Sequence, residues 1–424
     1  MKRYISKLLN VYHDETIKYF MFSMVIYGIG LGIYTGVLNN YLHDVLAINK
    51  FERGIVEFPR ELPGLLLFVF MGFLYRFSES KIVRLSFLIS CAGLLGIGVF
   101  GEARVMAICM IVVYSTGEHL LIPLKQSVAI HYAKPGKEGL AMGRTASSLN
   151  IGQVIGNYSV PVLFFVLGYF FSREEPLPIY RIIFFAAGGT LFGAFIFSSR
   201  LPDKNRHVER RKLFFRKRYT KYYILEGFFG ARKQIFITFA PYVLVLQYNA
   251  PAELLSALYG IWTLSNIFIN PFVGKLVDRF GYKKIIVIDA LILVVLCFLY
   301  GYAHRVFPLP VAYGIICVVF VLDAVLFAVG LARAMYAKTL SSNQEEVTSS
   351  ISTGLSINHF ISIIIAVVGG YLWQKLGVEV LFALAGFFSL CSFFFSMTLP
   401  KPRKKEQEDD EFYNSSVRKS RPLS

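Results

Sequence analysis

No segment of the 424-residue chain reads GxxxxGKS, GxxxxGKT, HExxH or GxSxG. It therefore offers no phosphate loop of that type, no zinc-protease helix and no nucleophile elbow. No nucleophile–base arrangement stands out in their place, and the chain is not expected to be an enzyme. Cysteine is scarce. Cys91, Cys109, Cys297, Cys317 and Cys391 all fall inside apolar stretches without metal-ligand spacing. They read as small core hydrophobes and imply neither a disulfide framework nor a metal, and no cofactor is expected. Acidic residues are outnumbered, 27 Asp and Glu against 44 Lys and Arg, for a net charge of +17. In a soluble protein that excess would suggest nucleic acid, but the placement of the charges says otherwise.

What the chain has instead is long apolar runs. Hydrophobic residues make up 55% of it and gather in stretches long enough to cross a membrane, which takes about 20 helical residues. Twelve such stretches lie near 18–42, 54–75, 83–101, 104–131, 140–170 and 180–199, then 222–247, 252–275, 285–303, 309–335, 348–373 and 378–399. They are apolar on all faces, which excludes the alternating strands of a membrane barrel. The first run is too long for a signal-peptide core and is expected to be retained as span 1. The spacing predicts an all-α polytopic membrane protein of twelve helices.

With the N-terminus taken as cytoplasmic, most of the Lys and Arg fall in cytoplasmic segments, as the positive-inside rule requires. The basic excess is thus mainly topology, and no nucleic-acid partner is expected. Both termini are expected in the cytoplasm and the protein in the cell membrane, the inner or plasma membrane in a prokaryote. The one long internal polar stretch, 200–221, is strongly basic and divides six spans from six. A second role for it against anionic lipid headgroups follows from its charge. The expected organisation is a bundle over 1–199, a linker over 200–221, a second bundle over 222–399 and a disordered cytoplasmic tail over 400–424. The halves echo each other. Lys18-Tyr19 matches Lys221-Tyr222, Arg76-Phe77 matches Arg279-Phe280, and Tyr132-Ala133-Lys134 recurs as Tyr336-Ala337-Lys338, at offsets of 203 to 204. A shared offset at matching places in the span order points to a duplicated six-helix unit.

Between spans 8 and 9 the chain reads GKLVDRFGYKK, residues 274–284. Gly274 and Gly281 permit close approach and positive φ, Asp278 offers an acceptor-only carboxylate, and Arg279 a guanidinium. The pattern Gly-x-Leu-x-Asp-Arg-x-Gly-x-Lys resembles the loop motif of the major facilitator superfamily of secondary transporters. The resemblance implies two pseudo-symmetric six-helix bundles working by alternating access. It also implies a gating role for Gly274, Asp278, Arg279 and Gly281, whose carboxylate latches cytoplasmic helix ends in the outward-facing state. The first-half copy is degraded, with Tyr75 and Ser78 where the second has Asp278 and Gly281.

Charges inside spans are costly, at least ~2.5–3.5 kcal/mol each on insertion scales, so they mark cavities or partners. Glu118 and His119 lie in the middle of span 4 and Asp323 in the middle of span 10, placed opposite His119 by the repeat. These three are the proton-coupling candidates. On span 7, Arg232 and Lys233 are candidates to bind an anion, with Arg232 favoured because a planar guanidinium grips carboxylate or phosphate with two bonds. Tyr27 and Tyr34 on span 1, Asn150 and Gln153 on span 5, and Asn358 and His359 on span 11 complete the expected polar pathway. Arg60 and Glu61 precede Pro63-Gly64 on span 2 and are expected to close an external gate or to pair across the halves. Gly28, Gly32 and Gly36 on span 1, with Gly152 and Gly156 on span 5, form small-residue faces for close helix packing.

The expected function is secondary active transport of a small organic solute, anionic or zwitterionic, coupled to protons or another ion, by a monomer. Two alternatives remain at this level: efflux or flipping of amphipathic compounds or lipid, and a membrane sensor or scaffold that has lost transport.

Overall fold

The apolar stretches become twelve helical spans in a computed structural model, which describes residues 11–74, 76–134, 137–203, 215–342 and 344–400. The first six are α1 (Ile17–Asp44), α2 (Lys50–Leu65 continued by Leu67–Leu74), α3 (Glu79–Phe100), α4 (Arg104–Tyr132), α5 (Glu138–Leu167) and α6 (Leu177–Ser198). The second six are α7 (Thr220–Tyr248), α8 (Ala252–Phe280), α9 (Tyr282–Val306), α10 (Leu309–Leu326, the turn Phe327–Val329 and Gly330–Thr339), α11 (Gln344–Leu376) and α12 (Val378–Met397). Tyr75, most of the basic linker (204–214) and the tail from 401 onward lie outside the described residues.

Two boundaries differ from expectation for legible reasons. α2 begins four residues early because Asn49 and Glu52 form a capping box, with Glu52 N donating to Asn49 Oδ1 at 2.9 Å and Asn49 N to Glu52 Oε2 at 2.8 Å. The GKLVDRFGYKK stretch is not a loop. α8 runs through Asp278 and Arg279 to Phe280, α9 starts at Tyr282, and Gly281 alone, at φ +79°, reverses the chain. Gly274 is therefore an ordinary helical residue facing the Leu331 side chain of α10.

Because helices alternate in direction, α1 and α7 begin, and α6 and α12 finish, at one end of the bundle. We call it the near end, and the opposite one the far end. In the first half α1 and α5 pack backbone to backbone through the small-residue faces. A Cβ on Gly152 would lie 1.9 Å from Val25 O, and one on Gly156 2.1 Å from Ile29 O. Each half also ties down its last helix in the same way. Arg84 of α3 reaches the carbonyls of Ser198 and Leu201 at 3.3 and 2.5 Å, while Lys283 of α9 reaches those of Met397 and Leu399 at 2.7 and 2.6 Å. A cation on the C-terminal carbonyls of a helix satisfies orphan acceptors and opposes the helix dipole.

The halves join at the far end. Asn40 Nδ2 donates to Ala250 O at 2.8 Å, Ser256 Oγ to Asn157 O at 2.7 Å, and Tyr242 OH to Ile48 O, while Arg173 pairs with Glu253 at 3.1 Å. Gly54 of α2 lies against the backbone of α11, where a Cβ would meet Ala366 O at 2.2 Å. One apolar core runs through both halves there, whereas a second, from Tyr219 and Tyr222 to Tyr336 and Leu399, belongs to the second half alone at the near end.

The segment entering α7 is held by Glu346 of α11, which accepts from Ser342 N at 2.9 Å, Arg216 at 2.8 Å and Arg218. That backbone donor and the two guanidinia hold the Glu346 carboxyl below the ordinary carboxylate range. A lowered value means the contact contributes above the ordinary pKa of 4.5 and is lost only as pH falls through the lower folded one. At neutral pH, Glu346→Gln is expected to speed tryptic cleavage at Arg216 and Arg218 several-fold. Unchanged cleavage would mean the clamp does not hold the segment.

Candidate functional site

Among the described residues, ten of the twelve spans contain a single helix long and apolar enough to cross a membrane; α7 and the divided α2 do not. α2 is divided at Leu66, just past Pro63 and Gly64, and carries Arg53, Glu57, Arg60 and Glu61. α7 carries Glu226, Arg232 and Lys233. A buried charge needs a partner, and here most of the partners are supplied by other helices.

The charges of α2 form a ladder along one face. Arg53 bonds Glu57 at 2.6 Å and also Asn39 Oδ1 of α1 at 3.2 Å, Arg60 bonds Glu57, and Arg60 bonds Glu61 Oε1 at 2.6 Å. Glu57 is fully buried and receives Gln234 Nε2 of α7 at 3.3 Å, across the halves. Glu61 crosses as well, taking His359 Nδ1 of α11 on Oε2 at 2.8 Å. Above this pair His119 of α4 meets the His359 ring edge-on, with centroids 5.5 Å apart. His119 Nδ1 lies 2.8 Å from Ser115 O. A nitrogen so close to a carbonyl oxygen must be the protonated one, which leaves Nε2 as a lone-pair acceptor. Gly64 makes room for that edge, since a Cβ there would lie 2.7 Å from His119 Nε2.

A second cluster sits within the second half. Arg232 is buried and paired with Asp323 of α10, and its guanidinium lies over Phe229, Phe236 and Phe327. Arg333 of α10 pairs with Glu226 at 3.1 Å and stacks on Phe229. A narrow cleft is lined by Arg232, Arg333 and Asp289 of α9. Asp289 Oδ1 is buried with no hydrogen-bond partner among the described residues. Three buried carboxylates, Glu226, Asp289 and Asp323, therefore lie in this region with two guanidinia, and the two arginines pair with Glu226 and Asp323.

Several expectations about individual residues change. Asp323 was placed opposite His119, but it pairs with Arg232, while His119 meets His359 and Ser115. Arg232 was favoured for gripping an anion; its charge is already matched by Asp323 and enclosed by aromatic rings. Lys233, half-buried, reaches Asn358 Oδ1 at 2.8 Å, and Asn358 Nδ2 approaches Glu226 at 3.5 Å. Tyr34 packs at a tilt against Tyr114, with centroids 4.1 Å apart, and Tyr27 against Phe87 at 5.5 Å, so both pack inside the first half. Asn150 and Gln153 are half-buried on α5, and Glu118 is half-buried beside His119. Asp278 and Arg279 are exposed at the near end, where Arg279 lies over its neighbour Phe280 and Asp278 makes no side-chain bond among the described residues. Sequence reasoning missed Arg53, Glu57 and Asp289, and it gave Gln234 of span 7 no role. The i, i+4, i+7, i+8 spacing of the α2 charges was the available signal for the first two.

A family model described as Major Facilitator Superfamily matches residues 20–303 and 222–423. Among solved structures, a bacterial homologue of the iron transporter ferroportin in the inward-facing state superposes with a TM-score of 0.72 at 12% identity, covering 90% of this chain and 98% of that one. The POT family transporter PepTSo gives 0.71 at 12% identity, over 90% and 97%. The nucleoside transporter NupG gives 0.70 at 13% identity, over 91% and 99%. No curated protein matches the chain by sequence. At these identities the structures share the fold and nothing narrower.

Proposed function

The chain belongs to the major facilitator superfamily, and from that premise we propose that it carries a small anionic or zwitterionic organic solute by alternating access, coupled to protons. That it is a multi-pass membrane transporter and not an enzyme follows from the family; the solute and the coupling are our reading. The carrying observation is that buried charge lies on α2 and α7, the two spans that are not single long apolar helices, and that charge on α2 bridges the halves through Glu57–Gln234 and Glu61–His359. Charges there sit where a rocking carrier exposes its site alternately to each side.

In this reading Lys233, and not Arg232, meets the anionic group of the solute, because its ammonium lies beside the interface on the neutral acceptor Asn358. The coupling proton resides with Asp289, which lines the cleft beside Arg232, and Asp323, which pairs with that arginine. The pairing leaves the buried Asp289 carboxylate with no paired counter-charge among the described residues, and a proton removes its charge. Asp278, unlatched at the near end, fits a conformation closed at the far end. The near end, with the greater share of basic residues, faces the cytoplasm in this reading.

The test begins with a thermal-stability screen of organic acids and amino acids against purified protein, which identifies the solute as the compound raising the melting temperature most. In proteoliposomes, Asp289→Asn is then expected to lose ΔpH-driven accumulation of that solute while keeping solute–solute exchange. Wild-type accumulation in this variant would sink the coupling assignment. Saturable uptake by Lys233→Gln with unchanged KM would do the same for the anion assignment.

A further inference from the structure

Three metal-ligating side chains from three helices converge at the interface. Glu61, His119 and His359 are each buried, and one potential ligand atom from each lies within 4.8 Å of the other two. No spacing in the sequence announces them, because they come from α2, α4 and α11. We propose that they form a binding site for a late first-row divalent cation of the Zn²⁺ class, assembled only when the halves are closed at the far end.

The donor set fits that class. Two imidazoles and one carboxylate suit Zn²⁺, Co²⁺ or Ni²⁺, whereas Mg²⁺ and Ca²⁺ prefer oxygen alone. Tetrahedral bonds of ~2.0–2.1 Å place ligand atoms about 3.3 Å apart, so closing each pair by at most about 1.5 Å completes the set. His119 is held for the task, since Nδ1 donates to Ser115 O and the lone pair of Nε2 is left to point at the cluster. The described residues give that nitrogen no hydrogen bond. Gly64 supplies the room, because any side chain at that position would overlap His119 Nε2 and crowd His359 Cε1, which a Cβ would meet at 3.2 Å.

The surrounding charges nearly balance, and a cation competes with Arg60 for the Glu61 carboxylate. Within the α2 ladder Arg53 and Arg60 face Glu57 and the ligand Glu61 itself. The other charged groups acting on the cluster, Lys233 from α7 and Glu118 from α4, are of opposite sign. Two ligands belong to the first half and one to the second, so a bound cation ties the halves together. That dependence on closure rests on the alternating-access reading above; the ligand set does not.

The probe is Co²⁺, titrated into full-length protein purified without a histidine tag and reconstituted in nanodiscs. Wild type is expected to develop visible d–d absorption that saturates at one Co²⁺ and is displaced by Zn²⁺. His119→Ala and His359→Ala should each weaken binding at least tenfold, with His119→Gln and His359→Gln as replacements if an alanine variant is not monodisperse. His131→Ala and His304→Ala, which remove histidines paired to Glu79 and Glu379 elsewhere, should bind as wild type. Absence of d–d bands in folded wild type, or their persistence in the His119 or His359 variants, would overturn the site. Gly54→Val touches no ligand and forces α2 from α11, so it should also lose the bands. Undiminished binding by Gly54→Val would leave the site standing and overturn its dependence on closure.

Discussion

Arg232→Gln is expected to destabilise the protein by about 3–5 kcal/mol, the usual cost of removing one partner from a buried ion pair. The reason is local. Arg232 is buried, its guanidinium is enclosed by Phe229, Phe236 and Phe327, and its partner Asp323 is equally inaccessible. With the arginine gone, Asp323 and Asp289 are left facing each other's charge, and Arg333 is already engaged by Glu226. The double variant Arg232→Gln, Asp323→Asn removes both charges and leaves two amides able to bond each other. It should recover most of the loss. Denaturant titration in mixed micelles of the wild type, both single variants and the double variant measures the coupling. If the single losses simply add in the double variant, the pair is not the structural element described here.

Gly54→Val is expected to act on the conformational equilibrium and to leave the fold intact. A Cβ on Gly54 would lie 2.2 Å from Ala366 O, and that backbone oxygen cannot rotate away. Relief requires α2 and α11 to separate, and these helices belong to opposite halves. Overpacking typically costs about 1–3 kcal/mol, here charged only to the state closed at the far end. That penalty moves its population relative to the alternative by roughly 5- to 150-fold, at 1.4 kcal/mol per decade. Gly152→Val makes a comparable clash, 1.9 Å from Val25 O, but between α1 and α5 of one half. It should lower stability in every state and shift no equilibrium. The two are separated by maleimide labelling of Ser256→Cys in a background lacking the five native cysteines. Ser256 is fully buried at the closed far end, bonded to Asn157 O. Gly54→Val should expose it to reagent added on the far side and Gly152→Val should not. Equal protection in both variants would show that the far end does not open.

The fold was legible because a bilayer leaves a chain few choices. Every backbone polar group in hydrocarbon must be satisfied within its own element, so runs such as 285–303 can only be helices. Which titratable side chains lie buried was legible too, since Arg232, His119, His359 and Asp323 stand out against apolar neighbours. Their partnerships were not. Glu61, His119 and His359 read as gate, proton and substrate residues on separate spans, yet they meet at one point. Depth along a helix can be counted from sequence, but rotation about its axis cannot be counted reliably across a chain of helices bent by Pro63 and Gly64. Arg53 escaped notice for a narrower reason. A span that starts at residue 54 leaves it outside, but the Asn49–Glu52 capping box adds a turn and draws it into the core.

The ladder of four charges on α2 also bears on how the protein is made. Glu61 and His359 are 298 residues apart in the chain. At about 5–20 residues per second, the ribosome delivers α2 to the translocon roughly 15–60 s before its partner exists. Arg53, Glu57, Arg60 and Glu61 neutralise one another on a single helix face. α2 therefore carries its own counter-charges during the interval before α11 arrives.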